Sequence, residues 1–244
     1  MIKFFTLKVL NIFDYFYQRK FINFLKKEGL RNLNVLLDVG AHKGESINLF
    51  ANHFKINEIY SFEPSPISYK ILTQNIIKIK RKFNKTKFFL ENIALGSRHE
   101  KIYIKHISES SSSTIRELNT NSKYFKKKFF FLKNSVNQNL FKEIKVKQML
   151  LSKYVDENKI ENIDFIKIDT EGYELEVLKG AKDILYKVKY ILFEHHYDDM
   201  ILKNYFFSDI SNFLKENNFK KLYKSKMPLR KTFEYIYENR ANKF

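Results

Sequence analysis

The run Val35-Leu36-Leu37-Asp38-Val39-Gly40, with Ala41-His42-Lys43-Gly44 behind it, constrains the fold more than any other stretch of the 244 residues. An apolar run without polar alternation suits a strand covered on both faces, as in a parallel sheet. The closing glycine suits a tight turn into a helix starting near Gly44. The pattern then returns. Ile59-Tyr60-Ser61-Phe62-Glu63 ends at Pro64-Ser65-Pro66 before a helical stretch to about Lys82, and Lys87-Phe88-Phe89-Leu90-Glu91-Asn92 leads into Ile93-Ala94-Leu95-Gly96. Farther on, Phe165-Ile166-Lys167-Ile168-Asp169 opens onto Thr170-Glu171-Gly172 and a helix to about Leu185, and Tyr190-Ile191-Leu192-Phe193-Glu194 follows. Such alternation predicts an α/β fold built on a three-layer, doubly wound, Rossmann-like sheet.

Residues 1–30 are expected to form an N-terminal helical segment, because Phe13, Phe16, Phe21, Phe24 and Leu25 recur near helical spacing and Gly29 supplies a stop. Residues 31–244 are expected to form one domain. Within it, residues 100–147 break the rhythm. Lys101 to His106 and Ile144 to Gln148 alternate like exposed strands, with the Ser110–Ser113 run and a stretch rich in Lys and Phe between them. This predicts an insertion over the sheet edge. A helix near Ser208–Asn217 and strands at Lys220–Lys224 and Thr232–Tyr237 close the chain.

Hydrophobic residues at 44% and charged residues at 30% exclude intrinsic disorder. The absence of cysteine excludes disulfides, thiolate metal sites and a cysteine nucleophile, and a reducing cytoplasm is the expected location. No signal peptide and no apolar stretch long enough to span a bilayer is read. The net charge of +18 raises three anionic partners: nucleic acid, an acidic membrane surface or a phosphorylated acceptor. Lysines are spread along the whole chain, and no segment has the basic and aromatic interleaving of a nucleic-acid module, so nucleic acid is not the expected partner. Peripheral membrane contact stays open through the aromatic and basic first helix.

The turn Asp38-Val39-Gly40-Ala41-His42-Lys43-Gly44 is the strongest local signal. Glycines permit close approach of a ligand to the backbone, and a helix N-terminus offers unpaired N–H groups. A dinucleotide fingerprint, G-x-G-x-x-G, has a middle glycine where this chain has His42, and no G-K-[ST] follows; both absences point away from a bound diphosphate. A nucleoside ligand such as S-adenosylmethionine fits better. Glu63, about twenty residues after Gly40 at the next strand end, is placed to meet ribose hydroxyls. Asp38, Gly40, Ala41, His42, Gly44, Glu63, Pro64, Asn92, Ala94 and Asp169 are therefore the candidate cofactor residues, with Asn92 or Glu91 facing the adenine edge.

Taken in order, the segments LLDVGAHKG, SFEPSP, ENIALGS, DFIKIDTEGYELEVLKGA and ILFEHH resemble the FkbM family of S-adenosylmethionine-dependent methyltransferases over about residues 35–196. The resemblance implies a class I methyltransferase sheet with a reversed final strand. It also implies methyl transfer to a hydroxyl oxygen of a sugar, glycan or polyketide-like acceptor. His42 stands where members commonly carry Asn, which alters the pocket rim.

Methyl transfer to oxygen is an in-line displacement that requires alignment, exclusion of water and a group to take the hydroxyl proton. The candidates are Asp169 and Glu171 after one strand, and Glu194, His195 and His196 after the next. Asp169 is expected to orient cofactor and acceptor, Glu171 to fix the turn or touch the acceptor, and His195 to act as base, with His196 on the opposite strand face. Asp169, Glu194 and His195 could also hold a divalent cation, but no metal is assigned. Acceptor selection is expected to fall to the lysine-rich insertion, for a small-molecule or glycan acceptor that is anionic or lipid-linked. RNA methylation and a non-catalytic nucleoside-binding role are the rival readings.

Overall fold

The computed structural model describes residues 19–107, 113–131, 141–228 and 230–241. With labels in chain order, its central sheet runs from edge to edge through β3 (Lys87–Glu91), β2 (Lys55–Phe62), β1 (Asn32–Val39), β8 (Ile163–Ile168), β9 (Val188–His196), β11 (Thr232–Asn239) and β10 (Phe219–Lys226). The five strands from β3 to β9 pair in parallel, and β11 is antiparallel to both neighbours. The doubly wound sheet with one reversed strand is thus present.

Helices cover both faces because the central strands bury both sets of side chains. On one face lie α1 (19–27), α2 (Glu45–His53) and α3 (Pro66–Lys82). They pack Phe21, Ile47, Phe50 and Leu72 on Leu36, Ile59, Phe165, Leu192 and Ile236. On the other lie α5 (Leu151–Glu157), α6 (Glu174–Gly180), a 3-10 segment (Lys182–Lys187) and α7 (Phe207–Glu216), against Leu37, Val39, Ile166, Ile168, Phe193 and Tyr235. Each fully buried side chain of this size contributes roughly 1.5–3 kcal/mol relative to exposure. The first helix is described only from residue 19, so Phe13 and Phe16 lie outside the described residues; its end at Gly29 (φ 86°) agrees with the expected stop.

The insertion is more structured than expected. Ala94–Leu95 forms β4, which pairs with β7 (Phe141–Met149); β7 pairs with β5 (Glu100–Ile107), and β5 with β6 (Ser113–Thr114). This second sheet has its own small core of Ala94, Ile104 and Val146. Most of the serine run lies outside the described residues. The stretch rich in Lys and Phe contains a helix, α4 (Lys123–Phe131), and α5 was likewise unread in the sequence. The expected single helix to Leu185 is instead α6 followed by the 3-10 segment.

Candidate functional site

Strand periodicity assembles the polar residues. Beyond Leu36, Ile59, Phe165, Leu192 and Ile236, the next side chains on the same face toward the carboxyl edge are Asp38, Ser61, Lys167, Glu194 and Glu234, because side chains repeat every two residues. Register sets Asp38 beside Ser61 and Lys167, and Glu194 beside Glu234. A charged layer therefore caps one hydrophobic face at the crevice where open α/β sheets bind ligands.

Lys167 is the hub of this layer. Its ammonium lies 3.2 Å from Asp169 Oδ2 and 3.6 Å from Asp38 Oδ1. Burial works against its charge, but Asp169 and Asp38 outweigh it and hold its pKa above the usual lysine range. Asp38 is buried, which raises its pKa, while Lys167 and the Ser46 hydroxyl, donating at 2.7 Å, oppose the rise. Glu194 is pushed well above the ordinary carboxylate range by burial, then by Asp169 and Glu234.

At the first turn Gly40 has φ 82°, and a Cβ there would stand 1.9 Å from the Asp169 carbonyl oxygen. Only glycine lets the loops after β1 and β8 meet. Gly44, also left-handed at φ 93°, precedes α2. His42 N–H donates to Glu63 Oε2 at 2.9 Å and Ser65 N–H to Oε1 at 2.8 Å, so two backbone donors fix this buried carboxylate. Burial raises the pKa of Glu63 and those hydrogen bonds oppose the rise. The His42 ring turns away to Glu45 at 3.0 Å. Asn92 reaches back to the carbonyls of Glu63 and Pro64 and so braces their turn, while Glu91 accepts from Tyr154. Ala94 is a core residue of the second sheet, and Ala41 is buried against α2 and α3.

At the second turn Glu171 and Gly172 are both left-handed (φ 50° and 93°), an uncommon state for a glutamate. Glu174 holds the turn: its Oε1 accepts from Gly172 N–H at 3.0 Å and from the Thr170 hydroxyl at 3.2 Å, and its Oε2 accepts from Tyr205. The insertion clamps the turn from outside. Thr114 donates to the Glu171 carbonyl at 2.8 Å, and Arg116 Nε donates to that of Gly172 at 3.1 Å while stacking on Tyr173. A Cβ on Gly172 would meet Ile201 at 2.7 Å, with the stems of Lys203 and Arg116 at 3.3 and 3.5 Å, so two basic side chains pass the turn, the Lys203 ammonium donating to the His196 carbonyl.

The two adjacent histidines diverge. His195 continues the row of Ile191 and Phe193 and enters an aromatic cluster with Tyr197, Tyr205 and Phe207 at ring distances of 4.8–5.9 Å. Burial drives its pKa down to about 3, and its Nδ1 has no hydrogen-bond partner among the described residues. The position expected for His195 beside Asp169 and Glu171 is therefore not the one it takes, and Asp169, Glu194 and His195 do not converge as a cation site. His196 takes the site face. Its Nε2 is 3.3 Å from Glu171 Oε2, and its Nδ1 is 3.1 Å from the Thr232 hydroxyl and 3.7 Å from Asp198. Burial opposes its charge, but Asp198, Glu171 and Glu194 raise its pKa to about 9.

Residues 38–221, which contain both turns, match the family model for the methyltransferase FkbM domain. The chain belongs to the FkbM methyltransferase family. A search of curated proteins finds no match to this FkbM chain. Among solved structures, it resembles the FkbM methyltransferase of Methylobacillus flagellatus KT with a TM-score of 0.53 at 18% identity, over 84% of this chain and 43% of that one. It thus spans less than half of that protein's length. It also resembles the magnesium protoporphyrin IX methyltransferase of Synechocystis PCC 6803, solved with bound SAM, at a TM-score of 0.53 and 11% identity over 95% and 82% of the two chains. At these identities the likeness establishes the fold.

Proposed function

We propose that this FkbM chain transfers a methyl group from S-adenosylmethionine to a hydroxyl oxygen of a sugar, glycan or similar small acceptor. The observation that carries the reading is the pairing, at one sheet edge, of a buried glutamate fixed beside a glycine turn with an accessible glutamate backed by a histidine. Glu63 keeps lone pairs for a ribose diol after accepting its two backbone hydrogen bonds. Asp38 Oδ1 and Ser61 Oγ, neighbours in register, are buried without hydrogen-bond partners among the described residues, so polar capacity remains next to the Gly40–Gly44 turn. Glu63, Asp38 and that turn would hold the cofactor, with Asn92 and Pro64 supporting the rim. When bound, the cofactor supplies an electrophilic methyl on a sulfonium.

The chain's own contribution is alignment and proton removal. Glu171 is the accessible end of the pair, its side chain 22% exposed against 11% for His196. Glu171 accepts the hydroxyl proton, and His196, occluded behind it, holds the carboxylate in place. Asp169, fixed by Lys167, orients the reactants. Arg116 and Lys203 beside the turn favour an acceptor that bears an anionic group. Calorimetric titration with S-adenosylmethionine and S-adenosylhomocysteine tests the cofactor assignment. Micromolar binding of both, weakened roughly tenfold or more in Glu63→Gln by loss of a charge-assisted hydrogen bond, is expected. Absence of binding to either would overturn the reading.

A further inference from the structure

Three of the chain's exposed large hydrophobic residues fall within ten positions after β9: Tyr197 (47% exposed), Leu202 (49%) and Phe206 (79%). Phe206 is the most exposed of those among the described residues and occupies the residue before α7, where Ser, Thr, Asp or Asn would accept an orphan N–H. The phenylalanine ring accepts nothing there, and the Asp209 N–H goes to the Phe206 carbonyl at 3.1 Å. In turn the Phe206 N–H donates to Asp209 Oδ2 at 2.7 Å. Folding leaves the ring in water, so its placement is not explained by the core.

The neighbouring surface is both aromatic and cationic. Phe207 lies 6.3 Å from Tyr197, which lies 5.2 Å from Phe233. The Lys221 ammonium sits over the Phe207 ring at 5.7 Å and that of Lys224 over Phe233 at 4.8 Å. Both lysines project from β10, the sheet's edge strand, which carries four lysines and no acidic residue. Lysines on an edge strand also deter strand-to-strand aggregation, but the exposed ring of Phe206, next in sequence to the Phe207 that Lys221 covers, does the reverse. Aromatic rings with lysines around them suit the boundary of a bilayer, where rings enter the headgroup layer and ammonium groups meet lipid phosphates.

We propose that the face formed by Tyr197, Phe206, Phe207, Phe233, Lys221 and Lys224 docks the protein on an anionic lipid bilayer. Tyr197 packs on His195 rather than on the His196 side, but it stands just past the carboxyl end of β9, the sheet edge that carries the Glu171 turn, so docking holds that edge near the membrane. Under the methyltransferase reading the acceptor is then a lipid-linked hydroxyl compound; the docking itself does not depend on that reading. The two can fail separately, because docking is read by sedimentation and cofactor binding by calorimetry.

The test is co-sedimentation of the whole chain with vesicles of phosphatidylglycerol and phosphatidylcholine in equal parts, and with vesicles of phosphatidylcholine alone. Binding to the mixed vesicles only is expected. It should fall roughly tenfold in Phe206→Ser, from loss of an aromatic ring that docking would bury in the headgroup layer. In the doubly substituted Lys221→Glu, Lys224→Glu variant it should fall by about fivefold or more for each lysine. The pair Lys101 and Lys147, directly opposed on the second sheet, provides the control for the net charge of +18. Reversing both to Glu should cost much less. Absence of binding to the mixed vesicles, indifference to Phe206→Ser, or an equal loss from the control pair would each overturn the proposal.

Discussion

Replacing Lys167 with Met tests the hub of the charged layer. The substitution keeps most of the side-chain volume and removes an ammonium that lies within 4 Å of both Asp38 and Asp169. Asp38 is 1% exposed and its Oδ1 has no hydrogen-bond partner among the described residues, so Lys167→Met strands a buried carboxylate with Ser46 as its one side-chain donor among them. Removing one member of a buried ion pair costs about 3–5 kcal/mol, much more than an exposed pair would. For a chain of this size each kcal/mol lowers Tm by about 2–4 °C, so a fall of roughly 6–20 °C is expected at about pH 8. The pH dependence identifies the cause. Burial already raises the pKa of Asp38, and Lys167 opposes that rise. Without Lys167 the folded-state pKa climbs further above the unfolded value. The folded carboxyl then holds its proton where the unfolded one has released it, and stability is lost as pH rises from about 4. Thermal unfolding followed by circular dichroism at about pH 5 and pH 8 should show a smaller deficit at the lower pH. A deficit under about 1 kcal/mol at pH 8, or one that is the same at both values, would refute the argument.

Removing the Glu174 side chain leaves the buried N–H of Gly172 and the Tyr205 hydroxyl unsatisfied; Glu174→Ala should cost roughly 3 kcal/mol by denaturant unfolding, and a cost below about 1 kcal/mol would contradict the capping role. His196 has its folded pKa raised to about 9, so its stabilisation is complete below about pH 6.5 and is lost as pH rises toward 9. His196→Ala should therefore flatten the stability profile in that window by about 3 kcal/mol, and it should lower turnover without weakening cofactor binding, with partial recovery in His196→Gln. His195 behaves oppositely: its pKa is depressed to about 3, so the folded state is penalised once the unfolded imidazole protonates below about pH 6.5. His195→Phe should gain about 2 kcal/mol relative to wild type between about pH 8 and pH 5 and keep its turnover; loss of turnover would return His195 to the acceptor site.

The glycine turn after β1 was legible because it needs backbone geometry that few residues adopt, and Gly40 meets Asp169 as closely as that implies. Parallel order was legible from uninterrupted apolar runs. Those same runs hide which way each side chain points: in Tyr190-Ile191-Leu192-Phe193 every residue is buried, on one face or the other, so no polar alternation marks the phase. The period of two still carried usable information, since Glu194 and His195 are adjacent and cannot share a face. Of the two histidines, only His196 could join Glu194. Lys167, in the middle of the Phe165–Asp169 run, was unread because a lysine in a buried strand gains meaning only when register sets it beside Asp38, far away in sequence. The role of Glu174 was hidden only in part for that reason: its bonds to Thr170 and Gly172 are local, while its partner Tyr205 lies 31 residues later. Local chemistry located the turns, and what converts two turns into one site is lateral pairing between strands, which sequence spacing does not encode.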